Sequence, residues 1–170
     1  MTITTENNPK VGKSVDNGKE RDALKEKAVG KQQLIDSLNA DLAGELQAVI
    51  MYLGYSACLT GPYRKDLRAL FQGEITDELG HAQFLADKIA ALGGQPELKP
   101  RAVPQANTAR EMLEQVLAAE RQAIADYNER IEQADSFGDV GLRVQLENQI
   151  SDETRHKEEV ERILAGWDKQ

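Results

Sequence analysis

Glu78 and His81, and again Glu153 and His156, place a carboxylate and an imidazole three residues apart, and these are the two histidines of the chain. At 3.6 residues per turn, the members of such a pair leave one side of a helix about one turn apart, close enough to grip one metal ion or a bridged pair. A further glutamate stands upstream of each pair, and the interval from Glu45 to Glu78 is the same as that from Glu120 to Glu153. Each of these glutamates is followed two helical turns later by a tyrosine, Tyr52 and Tyr127. One Glu-x-x-His is a weak signal, since any charged helix offers several by chance. Two of them, each tied to a glutamate at the same distance and all lying on apolar seams, make a strong one.

The shift in register that takes Glu45 to Glu120 also carries Tyr52, Glu78 and His81 onto Tyr127, Glu153 and His156. It superposes Leu38 on Leu113, Leu42 on Leu117, Ile75 on Ile150 and Asp77 on Asp152 as well, so the chain contains an internal repeat. Within the first half, Glu45 sits where the stripe of Leu38, Leu42, Val49 and Leu59 asks for a leucine. A buried carboxylate without partners is costly and normally protonates, so this placement asks for a cation or a hydrogen-bond network. Four glutamates neutralise two divalent ions, and two neutral imidazoles complete the shells while leaving positions open for oxygen or peroxide.

Four amphipathic segments must position these groups. The first runs from Lys31 to Leu59 and stops at Thr60-Gly61-Pro62; the second runs from about Tyr63 to Leu92 and stops at Gly93-Gly94. Residues 95–107 hold three prolines and read as a long crossover, which would set helices two and three parallel. Thr108 with Glu111 predicts a capping box at the start of the third helix, Ser136-Phe137-Gly138-Asp139 a short turn, and the fourth helix extends to about Trp167. The expectation is an all-α, up-down-down-up four-helix bundle over residues 31–170, preceded by a polar, mobile tail over residues 1–30 that holds at most a short helix over 19–29.

With 170 residues, one domain is expected, and a net charge of -8 argues against a chain built to coat nucleic acid. The tail carries Lys10, Lys13, Lys19, Arg21, Lys25 and Lys27 against nearly as many acids, which leaves DNA tethering as a disfavoured option. A single cysteine, Cys58, excludes an intrachain disulfide and a rubredoxin-type site, fits a reducing cytoplasm, and reads as a small core residue of the first helix. The start of the chain does not read as a secretory signal, and charged residues interrupt every apolar run, so no membrane partner is expected.

From about residue 31 to 167 the chain resembles the ferritin superfamily. The runs Leu34-Ile35-Asp36-Ser37-Leu38-Asn39, Glu45-Leu46-Gln47-Ala48-Val49 and Asp77-Glu78-Leu79-Gly80-His81-Ala82 are most similar to bacterioferritin and its Dps-like relatives. The resemblance implies that Glu78 and Glu153 bridge two metals, that Glu45 with His81 binds one and Glu120 with His156 the other, and that Tyr52 and Tyr127 stand behind the ligands. It also implies an entrance or inner-surface iron site at Glu74 and Asp77. Where bacterioferritin carries its haem-binding methionine this chain has Leu79, so no haem is expected, and Gly73 replaces the nearby inner-surface histidine, so that site is not expected in the same form. Nor does Cys58 supply the cysteine pair of many archaeal Dps-like proteins.

The resemblance thus implies a ferroxidase that oxidises Fe(II) with O2 or H2O2 at a site for two iron ions and stores Fe(III) mineral in a homo-oligomeric shell. Manganese is the alternative metal. Beyond His156 the sequence runs only from Lys157 to Gln170, and the seam already uses it as far as Trp167. The expectation is therefore no fifth helix of the kind found in a twenty-four-subunit shell, and a 12-mer instead. The competing classes are a peroxide-removing enzyme, rubrerythrin-like or a manganese catalase, and a DNA-protecting Dps-type shell.

Overall fold

The computed structural model of the chain describes residues 17–167. Four helices follow one another, α1 (Asn17–Cys58), α2 (Arg64–Ala91), α3 (Ala109–Phe137) and α4 (Val140–Trp167). Three of them start and stop within a residue or two of the sequence expectation. The exception is α1, which is already helical from Asn17 and passes through Gly30 without a break, so this part of the expected tail is helix. The apolar Leu24 and Val29 in its opening turns are exposed, so no buried stripe marks them in the sequence. Lys, Glu, Arg and Ala extend an existing helix at little cost, and an interior glycine costs only about 1 kcal/mol. Lys10 and Lys13 of the expected tail lie outside the described residues.

Each helix end has a local cause. Thr108 accepts a hydrogen bond from the Glu111 N–H while the Glu111 side chain accepts one from the Thr108 N–H, completing the expected box. Gly93 takes a left-handed φ of 81° just past the end of α2. Beside it, Gly94 has no room for a side chain, since a Cβ would meet the Ile35 side chain at 2.6 Å.

Short turns make α1–α2 and α3–α4 antiparallel pairs, which share the largest helix contacts, and α1 also packs on α3. The crossover is tied to α1 along its length. Asn39 bonds the Gln95 carbonyl and the Glu97 N–H, the Arg101 N–H bonds the Ala43 carbonyl, Gln47 bonds the Ala102 carbonyl, and the Tyr55 hydroxyl bonds the Pro104 carbonyl. Both partners advance together, so the crossover climbs parallel to α1 and returns the chain to the end where α2 began. Consequently α3 runs parallel to α2, as the long connection predicts. Among the described residues no helix is long and apolar enough to cross a membrane.

Apolar side chains fill the bundle in two separate clusters. One gathers Leu34, Leu38, Leu85, Ile89, Leu142 and Leu146; the other gathers Met51, Leu59, Phe71, Leu113, Val116 and Val160. Each such side chain contributes about 1.5–3 kcal/mol on burial. Between the clusters, every helix passes through a polar belt.

Beside that belt Arg130 of α3 reaches Asp41 of α1 at 2.8 Å, with both side chains buried. Arg130→Ala should cost about 3–5 kcal/mol in urea unfolding, because it strands a buried carboxylate, whereas replacing both residues with apolar ones should recover most of the loss. The cost should shrink as pH falls. Burial pushes the Asp41 carboxyl up to about 7 against the pull of Arg130, so the stranded group is relieved by taking up a proton. An unfolding midpoint unchanged by Arg130→Ala would refute the pairing.

Candidate metal centre

Glu45 on α1, Glu78 and His81 on α2, Glu120 on α3, and Glu153 and His156 on α4 all point into the belt between the two apolar clusters, and none is more than 7% exposed. The structure therefore brings together all six residues singled out by the repeat. Both imidazoles turn Nδ1 inward. His81 Nδ1 lies 2.8 Å from Glu153, 3.4 Å from Glu78 and 3.9 Å from Glu45. His156 Nδ1 lies 3.6 Å from Glu153, 3.7 Å from Glu78 and 3.8 Å from Glu120.

Two groups of potential ligands overlap here. Glu45, Glu78, His81 and Glu153 form one; Glu78, Glu120, Glu153 and His156 form the other, and within each group one ligand atom per residue lies within 4.8 Å of all the rest. Glu78 and Glu153 belong to both. Both Glu78 oxygens, Glu153 Oε1 and the Nδ1 atoms of both histidines are buried without a hydrogen-bond partner. Even the 2.8 Å approach of His81 to Glu153 lacks hydrogen-bond alignment. Such a set of orphaned oxygen and nitrogen donors fits two divalent cations, each taking carboxylates and one imidazole.

The electrostatics show what a cation would relieve. Burial, reinforced by the charges of Glu78 and Glu153, holds Glu45 well above the usual carboxylate range. Burial and the neighbouring Glu153 and Glu78 do the same to Glu120. For Glu153, burial is outweighed by close contact with His156 and His81, which keeps its carboxyl below the usual range. Burial opposes charge on the imidazoles, yet the adjacent carboxylates win and push His81 up to about 11 and His156 up to about 10. The metal-free site is thus a proton-loaded cluster, with protons standing where cations would sit.

The tyrosines reach across the bundle. The Tyr52 hydroxyl of α1 donates to Glu120 of α3 at 2.5 Å, and that of Tyr127 on α3 donates to Glu45 on α1. Burial and these carboxylates raise both phenols well above their ordinary value, so they remain donors that orient a ligand oxygen. Glu74 and Asp77 stand behind the His156 ring, with Glu74 at 2.6 Å and Asp77 at 3.6 Å from Nε2. Asp152 holds the matching position 3.6 Å from His81 Nε2.

A cavity of about 50 Å³ is lined by Arg101, Asp126, Gly44 and Ala123 together with the four glutamates. Arg101 in its lining is bonded to Asp126 at 2.9 Å and to the Ala40 carbonyl at 2.8 Å. A Cβ on Gly44 would meet the Arg101 guanidinium at 3.3 Å, so glycine makes room for it. Sequence reasoning missed Arg101 because its partners lie on other elements. Asp41 and Arg130 were missed too, although Asp41 sits one turn before Glu45 on the same seam. Cys58 corrects the expectation of a core residue: it ends α1 and is exposed, because the seam passes through Tyr55 and Leu59.

Four antiparallel-paired helices with two overlapping carboxylate–imidazole groups in the middle define a ferritin-like bundle. Residues 35–169 match the ferritin-like domain, and the chain belongs to the ferritin family. Among solved structures, it is similar to a ferritin-like diiron-carboxylate protein from Bacillus anthracis str. Ames, at 47% identity and a TM-score of 0.79, over 79% of this chain and 97% of that one. Bacterial ferritin from Pseudomonas aeruginosa is 31% identical over 123 residues, 72% of this chain and 80% of its own. A bacterioferritin-related dodecameric thioferritin from Bacteroides fragilis is 26% identical with a TM-score of 0.75, over 82% of this chain and 88% of that one.

Proposed function

We propose that the chain is a ferroxidase that takes Fe(II) as substrate at this site and retains the product as Fe(III) mineral inside a homo-oligomeric shell. The observation that carries the reading is the sharing of Glu78 and Glu153 between the two ligand groups. Shared carboxylates hold two ions side by side, with Glu45 and His81 completing one position and Glu120 and His156 the other. Two adjacent Fe(II) ions supply two electrons, which with two protons reduce H2O2 to two waters or O2 to H2O2.

The chain's own part is to bind, orient and exchange protons. Tyr52 and Tyr127 hold Glu120 and Glu45 by their oxygens, so each terminal carboxylate is fixed before a cation arrives. His81 and His156 give up their Nδ1 protons when they become ligands, so loading releases protons into a site whose chemistry consumes them. Leu79, half exposed on α2, offers no sulfur to a haem iron.

A shell of twelve chains is the assembly favoured by the similarity to the Bacteroides fragilis dodecamer. Exposed Ile50 and Leu53 on α1 and Leu79 on α2 provide apolar surface for contacts between copies. Light scattering decides this point, and a mass near twenty-four chains or a stable monomer would refute the dodecamer.

His81→Ala and His156→Ala should each abolish rapid oxidation of two Fe(II) per chain while leaving the helical circular dichroism intact, since each imidazole serves one ion. Stopped-flow absorbance with O2 and with H2O2 checks it. Unchanged rapid oxidation in both variants would sink the assignment.

A further inference from the structure

The internal repeat lets each imidazole serve as a control for the other. The repeat pairs Asp77 with Asp152, and the structure respects it: the Asp77 carboxylate is 3.6 Å from His156 Nε2, and that of Asp152 is 3.6 Å from His81 Nε2. It also pairs Glu74 with Gln149 and Gly80 with Arg155, and here the halves differ. Glu74, with a side chain only 14% exposed, meets His156 Nε2 at 2.6 Å. Arg155 lies 3.0 Å from the same nitrogen and pairs with Asp77 at 3.1 Å. A carboxylate accepts and a guanidinium donates, so Glu74 and Arg155 compete for Nε2; Glu74 makes the shorter approach, and Arg155 has Asp77 as its acceptor, so Nε2 turns its proton to Glu74 and Arg155 serves as the counter-charge of the acidic pair. Behind His81 there is no equivalent among the described residues: Gln149 is buried with its Oε1 unpartnered, Gly80 has no side chain, and the remaining carboxylate, Asp152, is about half exposed.

We propose that Glu74 is a positioning residue that makes the two metal positions unequal. By accepting the Nε2 proton it fixes the His156 tautomer and ring orientation, so that Nδ1 presents its lone pair to the position shared with Glu120. Partners of this kind are typically worth a factor of about 10–100 in metal affinity. The Glu120–His156 position therefore fills first. The Glu45–His81 position, whose imidazole lacks such a partner, fills last and empties first, which makes it the position that exchanges iron. This inference rests on the reading of the six residues as a two-metal site.

Zn(II), which binds oxygen and nitrogen ligands without redox chemistry, tests it by calorimetric titration of the full-length, metal-free protein. The native chain should bind two ions in two steps with dissociation constants roughly 10–100-fold apart. His156→Ala should remove the tight step and His81→Ala the weak one. Glu74→Gln should weaken the tight step alone, until the two merge, and Gln149→Glu should strengthen the weak step alone. A merely structural role for Glu74 would not move one step selectively, nor would it be mirrored by a gain at Gln149. Two equal steps in the native chain, or equal weakening of both steps by Glu74→Gln, overturn the inference while leaving the two-metal reading standing. Fewer than two ions bound overturn both.

Discussion

Glu78→Ala and Glu153→Ala should each leave a slower residual Fe(II) oxidation than either histidine variant, a loss larger than the roughly 10–100-fold that follows removal of a group behind a ligand. Each carboxylate belongs to both ligand groups, so its removal takes an oxygen from both positions at once. The variants should still fold. Glu78 and Glu153 are among the charges that push Glu45 and Glu120 up, so deleting Glu78 relieves repulsion in the metal-free belt, whereas deleting Glu153 also removes the partner of His81 and His156, which then shed their protons more readily. Neighbouring apolar clusters on both sides remain untouched. Stopped-flow kinetics with a circular dichroism control measures both expectations. A native oxidation rate in either variant would mean that the residue does not bridge.

The site was legible because metal coordination demands particular residue types at particular heights, and a repeat writes that demand twice. Glu45 on a leucine stripe is suspicious; Glu120 on the equivalent stripe of the second half turns suspicion into a ligand set. Helix order was readable for a related reason, since Thr108 with Glu111, Gly93 and Gly138 mark ends by local chemistry that does not depend on the rest of the fold. What stayed hidden was of two kinds. The described side chains in the opening turns of α1 are not buried, so periodicity is silent there and only propensity speaks. Arg101, Arg130 and the crossover anchors depend on partners far away along the chain, and a charged residue on a helix or loop has too many possible partners for spacing to choose one. Glu74 lies between these cases. Its type was visible, but its role emerges only when the His156 ring is seen to turn Nε2 toward it.

Loading the site should raise the thermal midpoint of the protein by an amount that grows with pH. Zn(II) held at about a thousand times its dissociation constant stabilises the native state by about 4 kcal/mol per ion, and for a chain of this size each kcal/mol shifts the midpoint by roughly 2–4 °C. One ion should therefore add about 8–16 °C, and a second nearly as much again; chelation should reverse it. The pH dependence follows from the protons that occupy the empty belt. Carboxyls raised in the folded state, Glu45 and Glu120, contribute stability in their protonated form, and that contribution is lost as pH rises above the ordinary carboxylate range. His81 and His156, raised to about 11 and about 10, keep their full contribution below the ordinary imidazole value of 6.5 and lose it as pH rises through those raised values. Glu153 is held low, and its contribution is constant above the ordinary range. The metal-free protein thus loses the carboxyl contribution progressively as pH rises above the ordinary carboxylate range. Metal binding displaces the same protons, so at fixed Zn(II) the loaded form gains over the empty one across that rise. Calorimetry at pH 6 and pH 8 should show the gap between loaded and metal-free midpoints widening with pH, and a gap that narrows would show that the belt does not hold its protons where the cations bind.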